Sequence, residues 1–242
     1  PPRSTLFPYT TLFRSDPFGS PDMPLVIPIF IPHEGCPHRC IFCDQRRISG
    51  QVAPPVDSNG VAETIRVWLA RSRPDRRERV QVALYGGSFT GLPVERQREL
   101  LAAVQPFRRH GLVQEIRLST RPDLIDSGRL DLLEEYGVSI VELGAQSCDD
   151  RVLRLAGRGH GGAAVEDAAR QLRERGFGLG IQLMLGLPGD SFFILRQTVA
   201  TVVGLRPAFV RLYPVLVVRG SGLERLYHRG GYRPLSLGRA VV

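Results

Sequence analysis

The chain has 242 residues, 43% of them hydrophobic, which is enough apolar material for one domain of barrel size or for one domain and part of a second. Its formal net charge is +8 and all 32 basic residues are arginine, a balance that suits a polyanionic partner such as RNA but that a GC-rich genome would also produce. No apolar run is long enough to span a bilayer and no signal peptide opens the chain, so we expect a cytoplasmic protein with no membrane partner.

The first residues do not resemble natural protein sequence. Residues 5–15, TLFPYTTLFRS, match a translated sequencing adapter codon for codon, and residues 16–24 are rich in Pro, Gly and Ser. We therefore expect residues 1–24 to be an artefactual or disordered segment outside the fold. Residues 25–230 are expected to form the core domain and residues 231–242 to begin a truncated C-terminal segment, as in a gene fragment cut at both ends.

Apolar runs alternate with helical periodicity along the rest of the chain. Strands are predicted at 25–31, 80–85, 114–119, 138–143, 177–185 and 208–213, and helices at 60–71, 94–109, 128–136, 149–155, 163–175, 191–205 and 222–228. Pro28 and Pro32 make the first strand irregular. Six strand–helix alternations indicate an α/β fold with a parallel sheet and right-handed crossovers, two units short of a closed eight-stranded barrel.

Three of the four cysteines lie within eight residues, as Cys36, Cys40 and Cys43 in the spacing C-x3-C-x2-C. The spacing is too short, and the number too odd, for a disulfide framework, and it indicates metal chemistry in a reducing compartment. Soft thiolate ligands select zinc, copper(I) or iron–sulfur clusters. Three thiolates on one loop can hold three irons of a [4Fe–4S] cluster, whereas a structural zinc knuckle would need His33 or His38 as its fourth ligand.

The fourth cysteine, Cys148, has no second cysteine beside it. We expect it to be a small, inert, buried side chain and not a metal ligand.

With an aromatic residue, Phe42, before its last cysteine, the C-x3-C-x2-C motif resembles that of the radical S-adenosylmethionine (SAM) enzymes. The resemblance implies a partial (β/α)6 barrel, a [4Fe–4S] cluster held by Cys36, Cys40 and Cys43, and SAM chelated by the free iron. In that family an electron from the cluster splits SAM into methionine and a 5′-deoxyadenosyl radical, which abstracts a hydrogen atom from the substrate. An electron donor such as a flavodoxin or ferredoxin is then also implied.

Barrels of this kind carry their chemistry at the C-terminal strand ends, so each predicted end was searched for SAM contacts. Paired glycines let a backbone approach a ligand closely, although a plain turn is the alternative. A buried Glu or Gln needs partners, because an unpaired one costs about 1–3 kcal/mol, and a ligand would supply them. The candidate cofactor-binding residues are Phe42, Gly86, Gly87, Ser88, Ser119, Arg121, Glu142, Gln146, Arg154, Gln182, Met184, Arg211 and Tyr213.

Five segments in order, STRPD, ELGAQS, RGH, GLPGD and YPVLVVRGSGL, resemble the radical SAM domain of the Elongator catalytic subunit family. The resemblance to the radical SAM core covers about residues 25–230, and the resemblance of these segments to Elongator implies tRNA as the substrate class. The candidate phosphate contacts at the barrel mouth are Arg121, Arg154, Arg158, Arg211 and Arg219.

The chain departs from the Elongator pattern in two ways. No acetyltransferase domain follows the barrel here, and the x3 spacing between the first two cysteines is shorter than is typical. The short spacing also fits the coproporphyrinogen-oxidase-like branch, so a radical SAM oxidoreductase of small molecules is an alternative. A non-catalytic zinc-binding module is an alternative of another class.

Overall fold

Six strands, hydrogen-bonded in chain order and all parallel, form the sheet of the computed structural model, which describes residues 24–31, 34–44, 55–72, 79–236 and 238. The strands are β1 (Leu25–Phe30), β2 (Val80–Tyr85), β3 (Glu115–Thr120), β4 (Val138–Gln146), β5 (Gly178–Leu185) and β6 (Phe209–Pro214). The predicted alternation is confirmed. The fourth strand extends three residues beyond the predicted Leu143, because pairing with β5 resumes after a register shift at Gln146, which has a positive φ of 70°.

The helices follow the predicted order closely. They are α1 (Ser58–Arg71), α2 (Val94–Arg109), α3 (Ser127–Glu135), α4 (Asp150–Leu155), α5 (Gly162–Glu174), α6 (Phe192–Gly204) and α7 (Gly222–His228). Side-chain oxygens of Asp57, Asp126, Asp149 and Ser191 accept hydrogen bonds from backbone N–H groups in the first turns of α1, α3, α4 and α6. Such caps satisfy donors that a helix start otherwise leaves unpaired.

The sheet is curled, as contacts across its inner face show. The guanidinium of Arg117 on β3 lies 4.1 Å from the ring centre of Phe209 on β6, and that of Arg211 on β6 lies 5.1 Å from the ring of Tyr85 on β2. In a flat sheet, strands three and four places apart would be separated by about 14 and 19 Å. The predicted partial barrel is therefore confirmed, and its inner face encloses a chamber.

The outer face of the sheet packs against the helices. Ile29, Leu84, Leu118 and Val141, neighbours across four strands, are almost fully buried in one apolar cluster with side chains from α1, α2, α3 and α5. With both faces covered, the strands read as nearly continuous apolar runs. This packing fixes the strand ends that carry the candidate site.

At the C-terminal end, packing continues beyond residue 230. Residues 1–23 lie outside the described residues. Tyr232, two residues beyond the predicted end of the core, packs into a second apolar cluster and donates from its hydroxyl to the carbonyl of Gly186 at 2.8 Å. Within the part of the chain that the structure describes, no helix is both long and apolar enough to cross a bilayer.

Candidate functional site

The cysteine loop, residues 34–44, follows β1 at the C-terminal edge of the sheet. Cys36 is exposed, Cys40 is buried and Cys43 is half-buried, and all are free thiols. The N–H of Cys43 donates to the carbonyl of Cys40 at 3.0 Å. The loop is fixed from both sides, because the N–H of Ile41 donates to Ala156 at the end of α4 and its carbonyl accepts from Leu223 on α7, at 3.0 and 2.7 Å.

A small apolar cluster supports the loop from below. Its buried members come from α4, from the loops after β5 and β6, and from α7 and the segment that follows it. Phe42 packs against them together with Ile41 and Met184. The aromatic residue between the second and third cysteines therefore anchors the loop in addition to its predicted role beside the cofactor. Met184 points into this cluster from β5.

The paired glycines after β2 lie directly against the cysteine loop. Gly86 has a φ of 111°, which favours glycine, and a Cβ on Gly87 would collide with the carbonyl oxygen of Glu34. Ser88 donates its N–H to the same carbonyl at 3.0 Å, and its hydroxyl is 3.3 Å from the sulfur of Cys36. The Gly-Gly-Ser segment thus brings the end of β2 into contact with the first cysteine.

Arg158, after α4, contacts the second cysteine. It is only 6% exposed, and its NH1 group donates to the sulfur of Cys40 at 3.2 Å while NH2 donates to the carbonyl of Gly144. Its Nε–H is buried without a hydrogen-bond partner among the described residues, and no described carboxylate forms an ion pair with it. A buried cation of this kind is destabilising unless an anion lies beside it, as a metal-bound thiolate would.

Arg121 is also buried, with only 3% exposure. Its guanidinium binds the carboxylate of Asp123 through two hydrogen bonds, at 2.9 and 3.0 Å, and donates to the carbonyl of Arg158. The prediction that Arg121 and Arg158 lie open at the barrel mouth for RNA phosphates is therefore wrong. Both side chains hold the strand ends together around the cysteine loop.

A polar network occupies the inner wall of the barrel, around Glu142. The Glu142 carboxylate is fully buried and accepts hydrogen bonds from Nε of Arg117, from NH1 of Arg211 at 3.1 Å and from the amide of Gln182 at 2.9 Å. The Gln182 amide is also 3.3 Å from the hydroxyl of Ser119. The partners that the sequence left open for Glu142 are thus arginine and amide groups of neighbouring strands.

The network shifts the acidity of its members. Burial, followed by the Glu142 carboxylate, raises the pKa of Tyr85 far above its ordinary value, so the phenol stays protonated. Burial alone would lower the pKa of Arg211, but the charges of Glu142 and the neighbouring Tyr213 and Tyr85 outweigh it, and the net shift is upward. The inner wall therefore carries two guanidinium ions and one carboxylate.

Two further groups at the strand ends are strained or incompletely paired. Gln146 has a positive φ, uncommon for a residue with a side chain, and its Oε1 atom is buried with no hydrogen-bond partner in the described chain. The Nε2 atom of His160 is also buried with no hydrogen-bond partner in the described chain, while its Nδ1 atom lies 3.2 Å from the carbonyl oxygen of Gly161. Buried unpaired polar atoms are unusual in folded proteins and are often explained by a ligand.

Not every predicted residue joins these groups. Arg154 is exposed on α4 and makes no side-chain hydrogen bond or ion pair with the described residues, and Arg158 instead contacts the cysteine loop. Tyr213 lies beside Arg211, with its ring centre 5.4 Å from the guanidinium. Cys148 packs against the main core, and burial, then Glu166, raises the pKa of its thiol to about 11, which agrees with an inert thiol.

The sequence left His33 and His38 open as zinc ligands. His33 lies outside the described residues, and the ring of His38 occupies the space that a Cβ on Gly159 would fill. Among the described residues, no three His, Cys, Asp or Glu side chains converge closely enough to hold one metal ion.

Sequence reasoning missed Arg117 and Tyr85 and did not link Arg158 to Cys40. A signal for Arg117 existed, because Glu115, Arg117 and Ser119 alternate along a strand whose other face is apolar. Polar residues on the inner face of a doubly covered sheet mark a chamber. No local signal could pair Arg158 with Cys40, 118 residues earlier in the chain.

A curled parallel sheet whose first strand leads into a three-cysteine loop, with polar side chains gathered at the carboxyl ends of the strands, defines an α/β enzyme of the partial-barrel class. The chain belongs to the radical SAM superfamily, whose family profile matches residues 30–201. Members of that superfamily use SAM and a [4Fe–4S] cluster.

Individual relatives and structures agree with this assignment. An uncharacterized protein of Methanocaldococcus jannaschii is 29% identical over 83% of this chain and 64% of its own length. A tRNA uridine(34) acetyltransferase of Methanocaldococcus infernus is 26% identical over 92% of this chain and 49% of its own length. The chain thus spans between about half and two thirds of the length of these two relatives.

Solved structures share the fold. Elp3 of Methanocaldococcus infernus superposes with a TM-score of 0.70 at 20% identity, covering 90% of this chain and 52% of its own. Coproporphyrinogen III oxidase (HemN) of Escherichia coli gives a TM-score of 0.60 at 22% identity, covering 92% of this chain and 51% of its own.

Proposed function

We propose that Cys36, Cys40 and Cys43 ligate a [4Fe–4S] cluster at the rim of the barrel, and that SAM binds beside it for radical chemistry on tRNA. The observation that carries the proposal is the buried guanidinium of Arg158, whose side-chain partner is the sulfur of Cys40. Thiolate ligands would give this cation an anionic partner. The donor set also fits, since three free thiols on one loop leave a fourth iron open for a ligand.

When bound, the cluster and SAM supply reductive cleavage of a sulfonium and a radical that removes a hydrogen atom from the substrate. The chain's own residues hold and orient these groups. Arg158 stabilises the thiolate of Cys40, and Ser88 contacts Cys36. The packing of Phe42 and Ile41 fixes the loop between α4 and α7.

The remaining predicted contacts are proposed to line the space that SAM occupies. Gly86 and Gly87 expose backbone groups beside the cysteine loop, and Gln146 offers a buried oxygen that still needs a donor. Arg121 holds Asp123 and the Arg158 carbonyl and so shapes the rim. Ser119, Met184 and Tyr213 are further members of the proposed set. Glu142, Gln182 and Arg211 lie deeper on the inner wall and Arg154 is exposed on α4, so these four are not assigned to SAM.

Transfer RNA is proposed as the substrate class on two supports. One is that a relative aligned over 92% of this chain is a tRNA uridine(34) acetyltransferase, and the other is the net charge of +8. The likeness to coproporphyrinogen III oxidase supports a small-molecule substrate as the second candidate. A cytoplasmic location suits thiol ligands, which need a reducing compartment, and a flavodoxin or ferredoxin would serve as electron donor.

The ligand assignment is tested by anaerobic reconstitution with iron and sulfide. Wild type should bind about four irons per chain and release 5′-deoxyadenosine from SAM when a reductant is added. Alanine at Cys36, Cys40 or Cys43 should abolish SAM cleavage, whereas the matched thiol control Cys148→Ser should keep the full iron load. A Cys36→Ala protein that still cleaves SAM would contradict the assignment.

A further inference from the structure

The inner wall of the barrel carries more positive charges than negative charges. Arg117 and Arg211 both pair with Glu142, which is fully buried, and no other carboxylate of the described residues lies within ion-pair distance of either guanidinium. Two cations and one anion leave one excess positive charge in a poorly solvated place. Such a charge is costly unless an anion neutralises it.

Both guanidinium groups retain unused donors. Arg117 donates only through Nε and Arg211 only through NH1 to residues that the structure describes. The Arg211 side chain is 36% exposed and that of Arg117 is 12% exposed, so Arg211 is the more accessible of the two guanidinium groups. A planar guanidinium binds carboxylate or phosphate oxygens through parallel hydrogen bonds.

Aromatic rings hold the two guanidinium groups in place. Arg117 lies over Phe209 at 4.1 Å, and Arg211 lies 5.1 Å from Tyr85 and 5.4 Å from Tyr213. Rings on these flanks exclude water and so strengthen the interaction with an anion. Gly180 leaves the necessary room, since a Cβ there would collide with the Phe209 ring.

The network lies below the cysteine loop. Glu142 is four residues before the end of β4, and Arg211 is three residues before the end of β6. At about 3.3 Å per residue, this places the network roughly 10 Å beneath the strand ends that contact the loop. A group bound there belongs to a molecule that reaches down into the chamber.

We propose that Arg117 and Arg211 form an anion subsite inside the barrel that binds a carboxylate or phosphate group of the substrate. Glu142 positions the two guanidinium groups and moderates their charge. The inference rests on the proposed function, because it requires a substrate inside the barrel, and it narrows the substrate to molecules that carry an anionic oxygen group.

The subsite can be probed with inorganic phosphate on the full chain before cluster reconstitution. Thermal unfolding is followed while phosphate replaces chloride at constant ionic strength. Specific binding should raise Tm with the logarithm of phosphate concentration above the Kd, by roughly 3–6 °C at ten times the Kd. A rise that is linear in phosphate concentration is the general stabilisation by an excluded salt and would overturn the subsite.

Three variants are expected to differ in phosphate binding. Arg211→Gln leaves a neutral pair of Arg117 and Glu142 and should abolish the logarithmic rise in Tm, whereas Arg173→Gln, at an exposed arginine in the last turn of α5, should retain it. Glu142→Gln removes the neutralising carboxylate and should tighten phosphate binding at least several-fold. An unchanged dependence of Tm on phosphate in Arg211→Gln overturns the proposal. This variant tests the subsite even if Glu142→Gln does not fold.

SAM carries a carboxylate of its own, so a final measurement tests whether the subsite binds SAM or the substrate. With saturating SAM on the reconstituted protein, the phosphate effect should persist, because the two bind at different depths. If SAM abolishes it, the subsite holds the SAM carboxylate and the substrate assignment is overturned. Failure to load iron or cleave SAM would remove only the proposed function, since the phosphate curve is measured without the cluster.

Discussion

His160 shows how one buried side chain can make the stability of the fold depend on pH. Burial, followed by the charge of Arg158, lowers the pKa of His160 to about 4, against 6.5 for an unperturbed histidine. Between these values the unfolded chain binds a proton that the folded chain does not. Stability is therefore unaffected by this group above pH 6.5 and is lost progressively as the pH falls towards 4.

The His160→Gln variant isolates this contribution. In urea unfolding of the cluster-free protein, wild type should lose more stability between pH 7.5 and pH 5.0 than the variant. The difference should be on the order of 1 kcal/mol, less than the full 1.36 kcal/mol per pKa unit because the ring is partly exposed. Equal losses would show that His160 takes up its proton in the folded state as readily as in the unfolded state.

At the scale of elements, the contact between the end of β2 and the cysteine loop depends on a missing side chain. Gly87→Ala should move the loop, because its Cβ would meet the rigid backbone carbonyl of Glu34. We expect a lower Tm and incomplete iron loading on reconstitution. Gly128→Ala, in the first turn of α3 with only Asp126 Oδ1 near, is the matched control and should be neutral or slightly stabilising. Full iron loading in Gly87→Ala would mean that the loop does not need this close approach.

The same scale shows what the sequence could and could not predict. Hydrophobic periodicity and apolar runs predicted every strand and α-helix of the described chain, because the burial of each side chain sets those patterns. Leu143 was predicted as the end of the fourth strand, yet pairing with β5 continues after a register shift at Gln146. The cysteines and the Gly-Gly pair were found from local spacing. The partners of Glu142 come from β3, β5 and β6, and only the curvature of the sheet brings them together.

At the scale of the whole molecule, the net charge of +8 matters for a polyanion only through arginines that remain accessible. Arg121 and Arg158 are buried, whereas Arg219 is exposed in the connection between β6 and α7, at the same edge of the sheet as the cysteine loop. We expect tRNA to bind at low salt, with affinity falling by roughly 0.7–0.9 log units per log unit of salt for each phosphate neutralised.

Arg219→Glu should weaken tRNA binding in a filter or fluorescence assay and reduce the salt slope by about one phosphate contact. Arg173→Glu is the matched control, because it makes the same change in charge on α5, which leads into the N-terminal end of β5 at the opposite edge of the sheet. It should weaken binding less. Equal losses in the two variants would show that tRNA responds to net charge alone, and a slope near zero in wild type would argue for a small-molecule substrate instead. The cluster, built on Cys36, Cys40 and Cys43, should be retained in both variants, since neither arginine contacts the loop that carries these thiols.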